Sequence, residues 1–222
     1  VAQYIENART QVAALIGADP AEIIFTSCGT ESNNTAIFGA AEAQGPAARF
    51  ITTRVEHPAV LGPCRRLKEH NRELIELGVN TLGQIDLEEL KKALSAGPAI
   101  VSVMWANNET GVVFPIEKIA AMVKEAGGLM HTDAVQVVGK HPIDVRKVPV
   151  DMLSFSGHKL HAPKGIGVLY IRKGTKTKPF MLGGHQENGL RGGTENVPYI
   201  AGLGVACELA AAGMKDEATR VA

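Results

Sequence analysis

Residues 151–170 read DMLSFSGHKLHAPKGIGVLY. Two short apolar runs, MLSFS (152–156) and GVLYIR (167–172), lie either side of a segment that holds Ser156, His158, Lys159 and a Pro-Lys-Gly-Ile-Gly turn. Runs of this length bounded by turn residues read as strands. A strand that is apolar on both faces belongs in a sheet covered on both sides, which is the habit of mostly parallel sheets. Lys159 is thereby placed as an ammonium group at the end of a buried strand. Removing a charged amine from water is costly, so such a lysine either reaches back to solvent or stands there for chemistry.

The pattern repeats outward from that stretch. EIIFTS (22–27), RFITT (49–53), AIVSVMWA (99–106) and GLMHTD (128–133) also read as strands. Helical periodicity fits VAQYIENARTQVAALIG (1–17), TESNNTAIFGAAEAQ (30–44), PAVLGPCRRLKEHN (58–71), DLEELKKALSAG (86–97) and IEKIAAMVKEAGG (116–128). Gly45-Pro46, Gly97-Pro98 and Gly127-Gly128 supply the stops. Strand and helix in alternation predict an α/β layered fold with a mostly parallel sheet. From Lys173 the pattern loosens into a Gly-rich stretch, KGTKTKPFMLGGHQENGLRGGTENVP (173–198), before a final helix from about Pro198. A loop of that length inside a domain is functional or disordered.

Composition narrows the partners. The 222 residues are 45% hydrophobic and 21% charged, with Lys plus Arg equal to Asp plus Glu at 23 each. A net charge near zero and 5% aromatic residues argue against a nucleic-acid surface or an acidic membrane. Three scattered cysteines, Cys28, Cys64 and Cys207, form neither a disulfide framework nor a metal knuckle, so no metal is expected and a reducing, cytoplasmic setting is. The most apolar stretch, YIAGLGVACELAAAG, is broken by Glu208, which predicts no membrane span.

In open α/β sheets, ligands collect at the carboxyl ends of the strands. The first strand ends in TSCGTESNN, where Gly29 and Thr30 open a helix whose free N–H groups suit a phosphate, or simply form a capped helix start. The second delivers His57 before a proline. The next ends in Asn107, Asn108 and Glu109, amides suited to a carboxylate or a ring substituent and equally to loop capping. The fourth ends in Asp133 with Gln136 three residues on, and the fifth in Ser156, His158 and Lys159. Together these offer seats for one anion, one ring nitrogen and one reactive amine.

Pyridoxal 5'-phosphate has those three handles: a phosphate, a pyridine nitrogen and an aldehyde. On this reading Lys159 forms the internal Schiff base, and Asp133 keeps the pyridine nitrogen protonated so that the ring acts as an electron sink. Gly29, Thr30, Ser156 and His158 hold the phosphate, His57 stacks on the ring, and Gln136 bonds the phenolic oxygen.

The motifs FTSCGTESNN, EHPAVL, NNETGVV, HTDAVQVVGKHPIDV, DMLSFSGHKLHAPKGIGVLY and GGHQENGLRGGTENVP run through essentially the whole chain. In that order they resemble the NifS/IscS-like cysteine desulfurases of the class V aminotransferase branch, enzymes with the fold-type I architecture for pyridoxal phosphate. The resemblance implies a three-layer α/β/α large domain over residues 1–222. It makes Lys159, Asp133 and His57 catalytic, and Thr30, Ser156 and His158 phosphate ligands. Asn108 becomes a contact to the substrate carboxylate, Gln136 one to the ring oxygen, and Thr194 a residue reaching the phosphate in the other subunit of a homodimer. The Gly-rich stretch becomes a dimer-interface segment.

The implied activity is removal of sulfur from L-cysteine, giving L-alanine and an enzyme persulfide, which a sulfur acceptor or iron–sulfur scaffold protein then receives. The family's N-terminal segment, its C-terminal small domain and its loop with the persulfide cysteine have no counterpart here. The resemblance therefore implies a chain that binds the cofactor but does not desulfurate cysteine unaided. Rivals are selenocysteine lyase, a transaminase- or kynureninase-like class V enzyme, and a non-catalytic truncated domain. Ser156-x-x-Lys159 also matches the motif of penicillin-recognising hydrolases, but that motif needs a helix and partner motifs absent here.

Overall fold

The computed structural model describes residues 1–221. Along the chain come α1 (Ala2–Ile16), β1 (Ile23–Thr26), α2 (Gly29–Gln44), β2 (Phe50–Thr53), α3 (Pro58–Glu69), β3 (Leu74–Leu77) and α4 (Leu87–Leu94). Then follow β4 (Ile100–Ser102), α5 (Ile116–Glu125), β5 (Leu129–Asp133), β6 (Met152–Ser156), β7 (Gly167–Ile171) and α6 (Val197–Val221). The strands form one sheet in the order β1-β7-β6-β5-β4-β2-β3. From β6 to β3 every pairing is parallel; β7 runs antiparallel to both β6 and β1. Because β7 alone reverses, β1, β2, β4, β5 and β6 all end at the same sheet edge.

Period-two alternation along each strand divides the apolar side chains between two cores. Ile24, Phe50, Ile100 and Leu169 meet Ile37 and Ala40 of α2 and Val60 and Cys64 of α3. Their chain neighbours Ile23, Ile51, Val101 and Val168 join α1, α4, α5 and α6 on the opposite face. The result is the three-layer α/β/α arrangement, with two helices on one face and four on the other.

The six strands expected from sequence are all present, some trimmed. AIVSVMWA yields a strand of only three residues, Ile100–Ser102. Beyond Ser102 the chain stays tied to β5 through Val103 N to His131 O at 3.2 Å and Trp105 N to Asp133 O at 2.8 Å. It then folds back at an Ala106–Val113 bridge. The short edge strand β3 was not expected: its LIEL is brief, carries a glutamate and buries only Leu77 fully.

The sequence expectation about membrane spans needs a correction. Val197–Arg220 is long and apolar enough to cross a membrane by length and composition, with a window of mean hydropathy 1.5. In this structure the helix packs on α1 and buries Ile200, Leu203 and Cys207, while Val205 and Leu209 stay exposed. The single Glu208 does not offset the surrounding alanines, leucines and valines.

The Gly-rich stretch is ordered by charge. Glu187 accepts two hydrogen bonds from the Arg9 guanidinium, at 2.9 and 3.0 Å, and a third from Phe25 N at 2.9 Å. Arg191 similarly grips Glu31, which accepts from Ser27 N at 2.8 Å. The N–H groups of Phe25 in edge strand β1 and of Ser27 just beyond it thus each end on a carboxylate held by an arginine. That arrangement blunts the open edge of the sheet.

Candidate active site

At the common strand edge the chain turns from β1 into α2 with little protecting cap. Cys28 is the N-cap residue and makes no side-chain capping bond, while Glu31 turns back to Ser27. The first-turn N–H groups at Gly29 and Thr30 are left for an outside acceptor, and the helix dipole favours an anion there. Two glycines make the crossing possible. A Cβ on Gly167 of β7 would stand 2.5 Å from the carbonyl carbon of Cys28, so the loop can cross the strand only over a glycine. A Cβ on Gly29 would press to 3.1 Å from Val135 and 3.4 Å from Ser156, closing the cradle between helix and sheet.

β2 delivers His57 as the N-cap of α3, with Pro58 behind it at the first helical position. Its Nδ1 accepts from Ala59 N at 3.1 Å, which leaves Nε2 as the nitrogen that carries the proton. The preceding Glu56 is buried and ties two strand ends together: one oxygen accepts from Thr53 Oγ1 at 2.7 Å and from Met104 N at 2.9 Å. Desolvation pushes its carboxyl up to about 8, so it is neutral at pH 7. Asn107 does the loop capping that its residue type suggested: Oδ1 accepts from Glu109 N and Thr110 N, and Nδ2 donates to Val55 O. Asn108 lines the cleft instead.

β5 ends at Asp133, which is 6% exposed. Its partners are amides and not a cation: Val135 N donates to Oδ1 at 3.0 Å and Asn33 Nδ2 to Oδ2 at 2.7 Å. Burial raises its pKa, while those two bonds and the positive charge available at His57 work against the rise. β6 ends at Ser156, whose hydroxyl meets His158 Nδ1 at 2.8 Å, and a 3₁₀ turn, Gly157–Leu160, swings Lys159 out of the sheet. Desolvation and the nearby Lys159 and Lys164 lower the His158 pKa. The Lys159 side chain is half-buried and has no hydrogen bond or ion pair among the described residues.

These groups share one cleft of about 350 Å³, lined by Gly29, Thr30, His57, Asn108, Asp133, Gln136, Ser156, His158 and Lys159. Nine of the ten residues expected from sequence therefore come together. The tenth, Thr194, which the resemblance assigns to the other subunit's site, is exposed and lies with Arg191 and Gly193 in a separate depression beside the end of β1. Cys28, Asn33, Ala59, Met104 and Val135 complete the cleft without having been singled out for it. Asn33 was legible only as part of SNN inside a helical run; its partner is one hundred residues away.

The donor set suits pyridoxal phosphate. An anion seat at the start of α2 with a serine and a histidine, a buried carboxylate, an amide at Gln136, an imidazole and an unengaged amine surround one cavity. The Gly29 cradle leaves room for a phosphate against backbone. No cluster of metal-ligating side chains occurs among the described residues.

Comparison with known proteins gives the family. The aminotransferase class-V family model matches residues 1–221. A cysteine desulfurase of Nostoc sp. PCC 7120 is 56% identical over 205 residues, covering 92% of this chain and 51% of that protein. The cysteine desulfurase NifS of Azotobacter vinelandii is 52% identical over all 222 residues and 55% of its own length. A solved NifS-like protein superposes with a TM-score of 0.92 at 42% identity over 97% of this chain and 60% of that one. SspA, solved in complex with cysteine, gives 0.90 at 40% identity over 93% and 60%. The chain spans about half the length of the curated relatives it matches. By sequence, by fold and by the residues gathered at its strand ends, the chain belongs to the class-V aminotransferase family.

Proposed function

We propose that this chain binds pyridoxal 5'-phosphate through Lys159 and forms the cofactor-holding part of a cysteine desulfurase. The observation that carries the reading is the convergence of Lys159, Asp133, His57, Gln136 and the Ser156–His158 pair on one cleft. The start of α2 and the Ser156–His158 pair would hold the phosphate, Asp133 the pyridine nitrogen, Gln136 the phenolic oxygen, and His57 the ring face. The bound cofactor supplies an aldehyde that an amine can engage and a ring that accepts an electron pair. Lys159 would supply that amine and would stand as the base for the α-proton of the amino acid. Asp133 would set a negative charge against the ring nitrogen, and Asn108 would meet the substrate carboxylate. With Nδ1 engaged by Ala59 N, the His57 Nε2 proton would be the one available for transfer to substrate.

The nearness of the relatives named as cysteine desulfurases supports L-cysteine as substrate, with alanine and a persulfide as products. None of this chain's cysteines suits the persulfide. Cys64 and Cys207 are buried with thiols pushed up to about 12, and Cys28 sits half-buried at the phosphate end. On this reading the chain binds the cofactor and the amino acid but does not release sulfide unaided. It works as a cytoplasmic homodimer whose exposed Thr194 completes the neighbouring site, and the persulfide passes to an acceptor or iron–sulfur scaffold protein.

The test is a titration of the chain with pyridoxal phosphate, followed by L-cysteine in the presence of an added thiol. The expected outcome is an absorbance band at the visible edge that changes with L-cysteine, without sulfide. Sulfide release by the chain, undiminished in Cys28→Ser, would contradict the division of labour; no response to L-cysteine would contradict the substrate.

A further inference from the structure

We propose that Asn33 is a positioning residue that fixes the Asp133 carboxylate as an anionic acceptor in the cleft and locks it in register with the phosphate seat. The inference deepens the cofactor reading above, and its consequence for cofactor binding rests on that reading. Its structural part stands without it.

Asn33 lies three residues after Thr30 on α2, so both side chains leave the same face of the helix, about 4.5 Å apart along its axis. One rigid helix therefore presents Thr30 to the cleft and Asn33 to the end of β5. Asn33 is 1% exposed and Asp133 6%. The two carboxylate oxygens are held from different directions, Oδ1 by Val135 N at 3.0 Å and Oδ2 by Asn33 Nδ2 at 2.7 Å, which stops rotation of the group. A carboxylate only accepts, so Asn33 must turn its NH₂ toward it, and the choice of amide orientation is forced.

That orientation has a cost. Asn33 Oδ1 is buried and has no hydrogen-bond partner among the described residues. A buried acceptor left unpaired opposes folding, and an apolar side chain of similar size would avoid it. What the amide supplies in return is a charge-assisted bond to an anion that burial would otherwise neutralise. Of the other ionisable groups around Asp133, only His57 works in the same direction. Glu56, on the β2–α3 turn, is neutral and would repel if charged; His131, on β5 itself, is buried and neutral; His57 and Lys159 share the cleft and are partly exposed to water.

The experiment uses the cofactor-free chain carrying ¹³C in its aspartate carboxyls, with the Asp133 resonance assigned from Asp133→Asn and followed against pH. Asn33→Leu should raise the Asp133 midpoint by about one to two units, the loss of one charge-assisted bond. Asn33→Ser, which removes the amide with less risk to packing, should move it the same way. Both variants are read only with melting curves and far-ultraviolet dichroism that show a folded chain. In parallel, each is titrated with pyridoxal phosphate and with its 1-deaza analogue, whose ring has C–H in place of nitrogen. The variants should bind pyridoxal phosphate about tenfold more weakly and the analogue as the parent does. An Asp133 midpoint unmoved in both variants overturns the inference, as does an equal loss of the two ligands. A raised midpoint in a chain that never binds pyridoxal phosphate upholds the inference and overturns the cofactor reading instead.

Discussion

Two buried ionisable residues, Glu56 and His131, set how this chain should respond to pH. His131 lies between Ser102 Oγ at 2.8 Å and Ser154 Oγ at 3.0 Å across β4, β5 and β6, and desolvation lowers its pKa from 6.5 to about 3. Glu56 moves the other way, from 4.5 to about 8. Between about 3 and 6.5 the unfolded chain binds a proton at position 131 that the folded chain does not, so stability rises with pH. Between 4.5 and about 8 the folded chain keeps a proton at position 56 that the unfolded chain releases, so stability falls. The two slopes cancel between 4.5 and 6.5, leaving a plateau that declines on both sides by up to about 1.4 kcal/mol per pH unit. The raised pKa of Asp133 makes stability fall as pH rises from 3.8, its ordinary value, and so tilts that plateau downward. Urea unfolding from pH 4 to 8 checks this: Glu56→Gln should remove most of the fall above pH 6.5, and an unchanged alkaline limb in that variant would sink the assignment. Residue identity made the lysine, aspartate and histidine of the cleft legible, because such residues at strand ends are unusual. Glu56 was quoted only as part of a motif and Asn33 only as helix. Their roles depend on what the neighbouring strand and helix bring against them, which spacing along the chain does not record.

The elements were legible where period and punctuation agreed. α2 and α3 begin within a residue of where glycine, threonine and proline placed them, since those residues act through local backbone preference. β3 escaped because four residues at a half-buried edge give too little alternation to count. The junction of β1, α2 and β7 carries two predictions. Gly167→Ala should lower stability by about 1–3 kcal/mol and weaken binding at the start of α2, because its Cβ collides with the Cys28 backbone. Unchanged urea midpoints would show that the loop yields freely. Glu187→Ala should cost about 3–5 kcal/mol by leaving Arg9 buried and Phe25 N unpaired, with Glu187→Gln costing less. Glu187 and Asn188 hold positive φ of 48° and 56°, so their turn persists only while that anchor does.

At the scale of the whole molecule, sequence gave the layers and the common strand edge, because buried parallel strands and their crossover helices leave a strong pattern. Strand order was beyond it. The insertion of β7 between β1 and β6, which brings the start of α2 beside Lys159, follows from packing and not from local signals. The account depends on one amine and one cofactor meeting in that place. The most direct measurement adds pyridoxal phosphate to the chain, records the absorbance at the visible edge, reduces with borohydride and maps the modified peptide by mass spectrometry. The predicted result is a band present in the parent, absent in Lys159→Ala, and a single modification on Lys159; a modification spread over surface lysines, with the band intact in Lys159→Ala, would contradict it.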